Sequence, residues 1–168
     1  MPDQILMEIF NEHIPYEIDM LRKAYHLTAG QRPKGVLKNA LIEAFCIHAR
    51  SLIDFFKCKR LRDEDVIASD FTNVAFIPEI NDAVEPLKTI KIRMNKQIFH
   101  LTRDRTIVEA AKFDPGRDGP DVVNRLEKEI AHFIGCVRPE FGSLKCNTQP
   151  ISFVVAPNPI GGTATFRR

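Results

Sequence analysis

No apolar run in this 168-residue chain approaches the roughly 20 residues that a membrane-spanning helix needs, so no helical span is expected. The amino terminus, Met1-Pro2-Asp3-Gln4, has no basic stretch leading into an apolar one. A secretory signal is therefore not expected, and the cytosol is the expected compartment. Charge of one sign is not in excess either: the formal net charge is +2, which argues against a strongly basic nucleic-acid binder but leaves a local patch open. The four cysteines, Cys46, Cys58, Cys136 and Cys146, form no Cys-x-x-Cys pair, which removes zinc knuckles and dithiol redox motifs from consideration. Cys46 and Cys136 fall within helical patterns and are expected to pack as small apolar groups. Repeats and low-complexity tracts are lacking. Gly161-Gly162 is not followed by Lys-Ser or Lys-Thr, so it is a flexible turn and no phosphate loop. Metal sites in helical bundles usually use Glu-x-x-His pairs on facing helices. Here Glu43 and His48 are five apart and His13, His26 and His132 are scattered, so neither a metal site nor a cofactor is expected.

What the chain has in quantity is helical periodicity. Ile5, Leu6, Ile9 and Phe10, then Ile14, Ile18, Leu21 and Tyr25, recur at helical spacing. Pro15 interrupts them, which predicts a short first helix and a second beginning near Pro15, where a missing amide hydrogen costs little. Gly30 suits a left-handed cap, and 31–35 should form a loop. A third helix is expected over about Val36–Lys57. Leu37, Leu41, Ala44, Phe45, Leu52, Phe55 and Phe56 lie on one arc of it, and Glu43, Arg50 and Asp54 lie opposite. Lys57 to Arg60 then place cations at the negative end of the helix dipole, and Asp63, Glu64 and Asp65 would open a short helical turn. A fourth helix is expected from Glu79 to about Arg105, well formed after Pro86. Its main stripe is Ile90, Met94, Ile98 and Leu101, while Ile92 and Phe99 lie on nearly the reverse side, as for a helix buried between neighbours or at a subunit contact. A last helix should start within Asp118–Pro120 and reach about Val137, with Val122, Leu126, Ile130, Phe133 and Val137 as its stripe. Four prolines after residue 138, and the short β-branched run at 151–155, predict an extended arm lying on the bundle or on a partner. The expected architecture is thus all-α: an up-and-down bundle of four to five helices over residues 1–138, with an extended C-terminal arm over 139–168.

The most informative polar residues lie in the fourth helix. Arg93 and His100 are seven residues apart, which places them about 20° apart around a helix and on one face. A guanidinium matches phosphate oxygens with a fixed charge, and an imidazole exchanges protons near neutral pH. Together they suffice for metal-free phosphodiester cleavage, one group moving protons and the other steadying the charged phosphorane. The structural alternative is that His100 hydrogen-bonds a neighbouring helix and Arg93 pairs with an acid such as Glu43 or Asp54. His48, on the apolar arc of the third helix, is either a core histidine with one hydrogen bond or a group placed across the bundle from His100. Arg50 and Asp54 suit a modest ion pair. The run Lys57, Lys59, Arg60, Arg62 is either a phosphate contact or a solvated helix end.

An Arg followed after six residues by a His, late in a helical bundle, resembles the signature of the HEPN superfamily, and residues 36–136 resemble its layout. The surrounding wording, Asn95-Lys96 and His100-Leu101-Thr102, is also similar to that of uncharacterised bacterial proteins. The resemblance implies an all-α bundle that dimerises and acts as a metal-independent endoribonuclease in toxin–antitoxin or defence systems. Arg93 and His100 would be catalytic, with His48, Asn95 and Lys96 in support. RNA, a second copy of the chain and an antitoxin-like protein are the implied partners. The other expectation is a non-catalytic interaction protein of the same architecture, binding a protein through the bundle and the arm. Met94, which follows Arg93 where many HEPN motifs carry a polar residue, favours that second reading.

Overall fold

A computed structural model describes residues 3–31, 33–73, 76–98 and 112–146. The first helix, α1 (Gln4–Glu8), is capped by Asp3, whose carboxylate accepts the Ile5 amide. It runs without a break through a π-helical turn, Ile9–His13, into α2 (Ile14–Gln31). Pro15 therefore does not divide the helix. Its ring crowds the preceding turn of an ordinary α-helix, and the wider turn relieves this: the Ile14 amide reaches back to the Ile9 carbonyl, five residues away. Gly30 is not a left-handed cap, because α2 passes through it. The glycine with positive φ at this junction is Gly35, at 59°, and it opens α3 (Gly35–Phe56).

Residues after α3 fold back in a loop. Asp65 accepts the Leu61 and Arg62 amides, and Arg60 is held by Asp70 and by the Asp65 carbonyl. The helical turn expected at Asp63–Asp65 instead forms later, as a 3-10 turn at Ala68–Asp70. The next long helix, α4, begins at Leu87, directly after Pro86 where its well-formed part was expected, and is described to Ile98; the expected extension back to Glu79 is not helical. Pro86, which lacks an amide hydrogen and whose ring crowds the turn before it, sets that start, and ahead of it the Glu129 carboxylate accepts the backbone amides of Glu79 and Ile80, at 3.0–3.3 Å. The last helix, α5 (Gly119–Cys136), keeps the expected bounds.

The cross-contacts give an up-down-up-down order. Tyr25 meets Phe45 while Glu17 meets His48, so α2 and α3 are antiparallel. Arg50 meets Asn95 while Asp54 meets Lys91, so α3 and α4 are also antiparallel. Arg93 meets Asp118 while Ile80 meets Glu129, which reverses the chain once more into α5. The expected all-α bundle is thus observed, with no strand among the described residues. One antiparallel bridge, Thr72 to Val137, ties the segment after α3 to the end of α5.

The core lies between these helices. Phe55, Phe56, Phe71, Phe76 and Phe133 form an edge-to-face cluster that Phe10 and Phe141 extend. Each fully buried phenylalanine contributes roughly 1.5–3 kcal/mol by burial alone. The α5 stripe is buried at Val122, Leu126, Ile130 and Phe133, and the α4 stripe at Ile90 and Met94. The α3 face is turned from its expected centre: Ile42, Cys46, Ala49 and Ile53 are buried with Phe45, Leu52 and Phe56, whereas Leu37 is 61% exposed. Cys46 packs in this core, where burial pushes its thiol far above the usual range, and Cys136 packs partly against it. At the start of the expected arm, Phe141 and Leu144 are buried on the bundle. The remainder of that arm, with Gly161-Gly162, lies outside the described residues, as do Phe99, His100 and Leu101. Among the described residues no helix is long and apolar enough to cross a membrane.

Candidate functional site

The end of the bundle where α2 finishes and where α3 and α5 begin holds a buried charge cluster around Asp118. Arg93 projects from α4 and donates from Nη1 to Asp118 Oδ1 at 2.8 Å. Asp118 immediately precedes α5, and its carboxylate is 3% exposed. It also accepts Arg117 Nε at 2.9 Å, Arg117 Nη2 at 2.8 Å and the Asp114 amide at 3.0 Å. Burial alone would raise the Asp118 pKa. Its hydrogen bonds to Arg117 and the Asp114 amide, with the charges of Arg117 and Arg93, outweigh that effect and hold the pKa below the usual carboxylate value. One buried anion therefore fixes two guanidinium groups side by side. Close packing continues just below: a methyl group on Gly119 would sit 2.5 Å from the Tyr25 ring.

A cavity of about 390 Å³ opens beside this cluster, lined by Lys38, Asn39, Ile42, Lys112, Asp114 and Arg117 among others. Arg117 belongs to both: it holds Asp118 through Nε and Nη2, donates from Nη2 to the Lys112 carbonyl, and lines the cavity. Arg93 is linked to this cavity wall through the carboxylate that it shares with Arg117.

The other expected site residues are dispersed along the bundle. His48 is buried on α3, with Nδ1 2.9 Å from Glu17 Oε2 and its ring edge-on to Tyr16. An ionised carboxylate only accepts, which places the proton on Nδ1. The partner comes from α2, as for a core histidine with one hydrogen bond. Asn95 accepts from Arg50 Nη1 at 2.5 Å, and Lys96 is half-buried on α4. Arg50 also lies 3.5 Å from Asp54, as expected. Along the same α3–α4 seam Lys57 and Lys91 converge on Asp82. Two of the four cations of the expected basic run are committed to ion pairs of the fold, Lys57 with Asp82 and Arg60 with Asp70. His100, the proposed proton-transfer group, lies outside the described residues.

Arg93 pairs with neither Glu43 nor Asp54, and Asp118 was legible only as a helix-start signal. It sits at the cap position of α5, yet its side chain makes no capping bond and turns inward instead. Glu129 was missed although its register gave a clue, since it falls within the apolar stripe of α5. Its carboxylate is buried and holds the Glu79 and Ile80 amides, and burial raises its pKa above the usual value against the lowering effect of those amides. His132 lies 3.8 Å from it and packs against the Phe76 ring at a tilt of 39°. Among the described residues no group of three or more His, Cys, Asp or Glu side chains is placed to hold a metal ion. No family model matches the chain, and neither a curated protein nor a solved structure matches it.

Proposed function

We propose that this bundle is a metal-independent endoribonuclease of HEPN type, with Arg93 and His100 as its catalytic pair. The observation that carries this reading is the setting of Arg93. Its guanidinium is held by a buried carboxylate, next to a second guanidinium that itself lines a cavity. An arginine fixed in this way binds a phosphate with little further loss of side-chain freedom, which is what electrostatic stabilisation of a phosphorane requires. His100 stands further along the same sequence segment, after six intervening residues. In the reaction the ribose 2′-oxygen bonds to the adjacent phosphorus and the bond to the 5′-oxygen breaks. A proton leaves the 2′-hydroxyl and one reaches the departing 5′-oxygen, and His100 serves one of these two transfers. The products are a 2′,3′-cyclic phosphate and a free 5′-hydroxyl.

Purified protein is expected to cut single-stranded RNA in the presence of EDTA and to leave 2′,3′-cyclic ends. His100→Ala should lower the rate by about 10²-fold or more, the scale for loss of an acid–base group, with the helical circular dichroism unchanged. Wild-type protein that leaves RNA intact under these conditions would overturn the proposal.

Exposed apolar side chains favour a second reading, a protein-binding bundle that works as a homodimer or with a protein partner. Val36 is 85% exposed and Ile92 48% exposed, and Ile92 lies on the reverse of the α4 stripe.

A further inference from the structure

We infer that Glu129 and His132, one turn apart on α5, form a proton-operated clamp on the segment that leads into α4: uptake of one proton by the pair draws the two side chains together and tightens their hold on Phe76, Glu79 and Ile80. The inference stands apart from the endoribonuclease reading and uses none of its residues. Each of the three clamped residues is held from α5. The Phe76 ring packs against the His132 imidazole, with ring centres 4.9 Å apart, and the Glu79 and Ile80 amides donate to Glu129 Oε2 at 3.1 and 3.0 Å. Oε1 is the less occupied oxygen, with the Glu79 amide at 3.3 Å. It is also the oxygen that His132 approaches: Nδ1 lies 3.8 Å away, beyond hydrogen-bond reach. Nδ1 is buried and has no hydrogen-bond partner, a state that costs free energy and calls for a reason. The imidazole as a whole is 34% exposed, so solvent protons reach it.

A proton supplies the missing bond. With it the imidazolium N–H donates to a carboxylate, a charge-assisted bond about twice as strong as a neutral one. Without it two backbone amides face the buried negative charge of Glu129. Because the two groups share the proton, it belongs to the pair. The other titratable and charged groups around Glu129 are Glu79 on the clamped segment and Asp121, Arg125 and Lys128 on α5, which line one cavity with it. Cys58, in the loop after α3, also feels its charge and has a thiol that burial pushes above the usual range. Among these side-chain types only an imidazole ordinarily exchanges protons near neutral pH. Burial raises the Glu129 pKa above its usual value, which sets the sign. A raised acid binds its proton more tightly in the folded chain, so the contribution of the pair is present in mild acid and is lost as pH rises.

The test is a titration of the full chain by nitrogen–proton NMR between about pH 5 and about pH 8, the range in which an imidazole changes charge. The Ile80 amide shift and the His132 ring should titrate with one midpoint. After correction for the intrinsic exchange rate, the Ile80 amide should exchange with solvent about tenfold more slowly at the acid end than at the alkaline end, the scale of one added charge-assisted bond. His132→Phe keeps a ring against Phe76 and removes Nδ1, and should abolish both Ile80 effects. Glu129→Gln retains an oxygen for the amides and removes the carboxylate, and should abolish them too, which keeps the test open if His132→Phe does not fold. Glu79→Gln should leave both in place. An Ile80 amide whose shift and protection stay flat across this range would overturn the inference. So would a titration of that amide that persists in His132→Phe, which would put the proton on Glu129 without its neighbour, or one that is lost in Glu79→Gln.

Discussion

Replacing Asp118 with Asn tests the organisation of the basic end most directly. Four donors converge on the native carboxylate: Arg93 Nη1, Arg117 Nε and Nη2, and the Asp114 amide, at 2.8–3.0 Å. Asparagine retains one acceptor oxygen, which can serve the two donors on its side. Its amide group then faces the other two donors, and two charge-assisted or amide bonds disappear. Hydrogen bonds to charged groups contribute about 1.5–3 kcal/mol each, and Arg93 and Arg117 are partly exposed and recover some hydration. The low end of that range applies, for a total of about 3 kcal/mol, consistent with breaking a buried ion pair from one side. For a chain of this size each kcal/mol moves the melting temperature by roughly 2–4 °C, so the midpoint should fall by roughly 6–12 °C. The assay is thermal unfolding followed by circular dichroism, over a range of pH. The folded pKa of Asp118 is lowered relative to the unfolded chain, so its contribution is complete above the ordinary aspartate value of about 3.9 and disappears as pH falls through the lowered folded value. The deficit of the Asn variant should accordingly be full at neutral pH and shrink in acid. A deficit below about 1 kcal/mol at neutral pH, or one that does not shrink in acid, would refute the assignment of Asp118 as the anchor of both arginines.

Glu129 should behave with the opposite sign. Its folded pKa is raised, so its own contribution declines as pH rises from the ordinary glutamate range through the raised value. Glu129→Gln can still accept the Glu79 and Ile80 amides through one oxygen and should stay within about 1 kcal/mol of wild type at neutral pH, gaining relative to it as pH rises. Glu129→Ala leaves both amides without that acceptor and should cost about 2–3 kcal/mol, read by chemical denaturation. If the chain is a homodimer through the exposed side of α4, Ile92→Asp should shift the mass seen by light scattering from two chains towards one. An unchanged mass would exclude that face as the contact.

Much of the fold was legible from single-helix properties. The register of Val122, Leu126, Ile130 and Phe133 determines which side of α5 is buried whatever lies against it, and Ile90 and Met94 do the same for α4. Periodicity reports the direction in which a side chain leaves its helix, a property of neighbouring turns. It does not report what the side chain meets. The structural alternative for Arg93 was an acid such as Glu43 or Asp54 on α3, and the acid it meets is Asp118, 25 residues later, because the crossing of α4 with the start of α5 decides which carboxylate is within reach. The Glu79 and Ile80 amides are held by a glutamate 49–50 residues away, a contact between distant segments that no local pattern shows. The cavity at Lys38 and Lys112 is more remote still from the sequence, since its walls come from α3 and from the loop before α5. By itself the sequence determined the all-α class and the apolar faces of α4 and α5, but not the full buried face of α3. Only the tertiary structure decided the polar partners across elements, because each such pairing depends on the relative position of two segments that no local pattern encodes, whereas Arg50 and Asp54, four apart in α3, were legible as a pair.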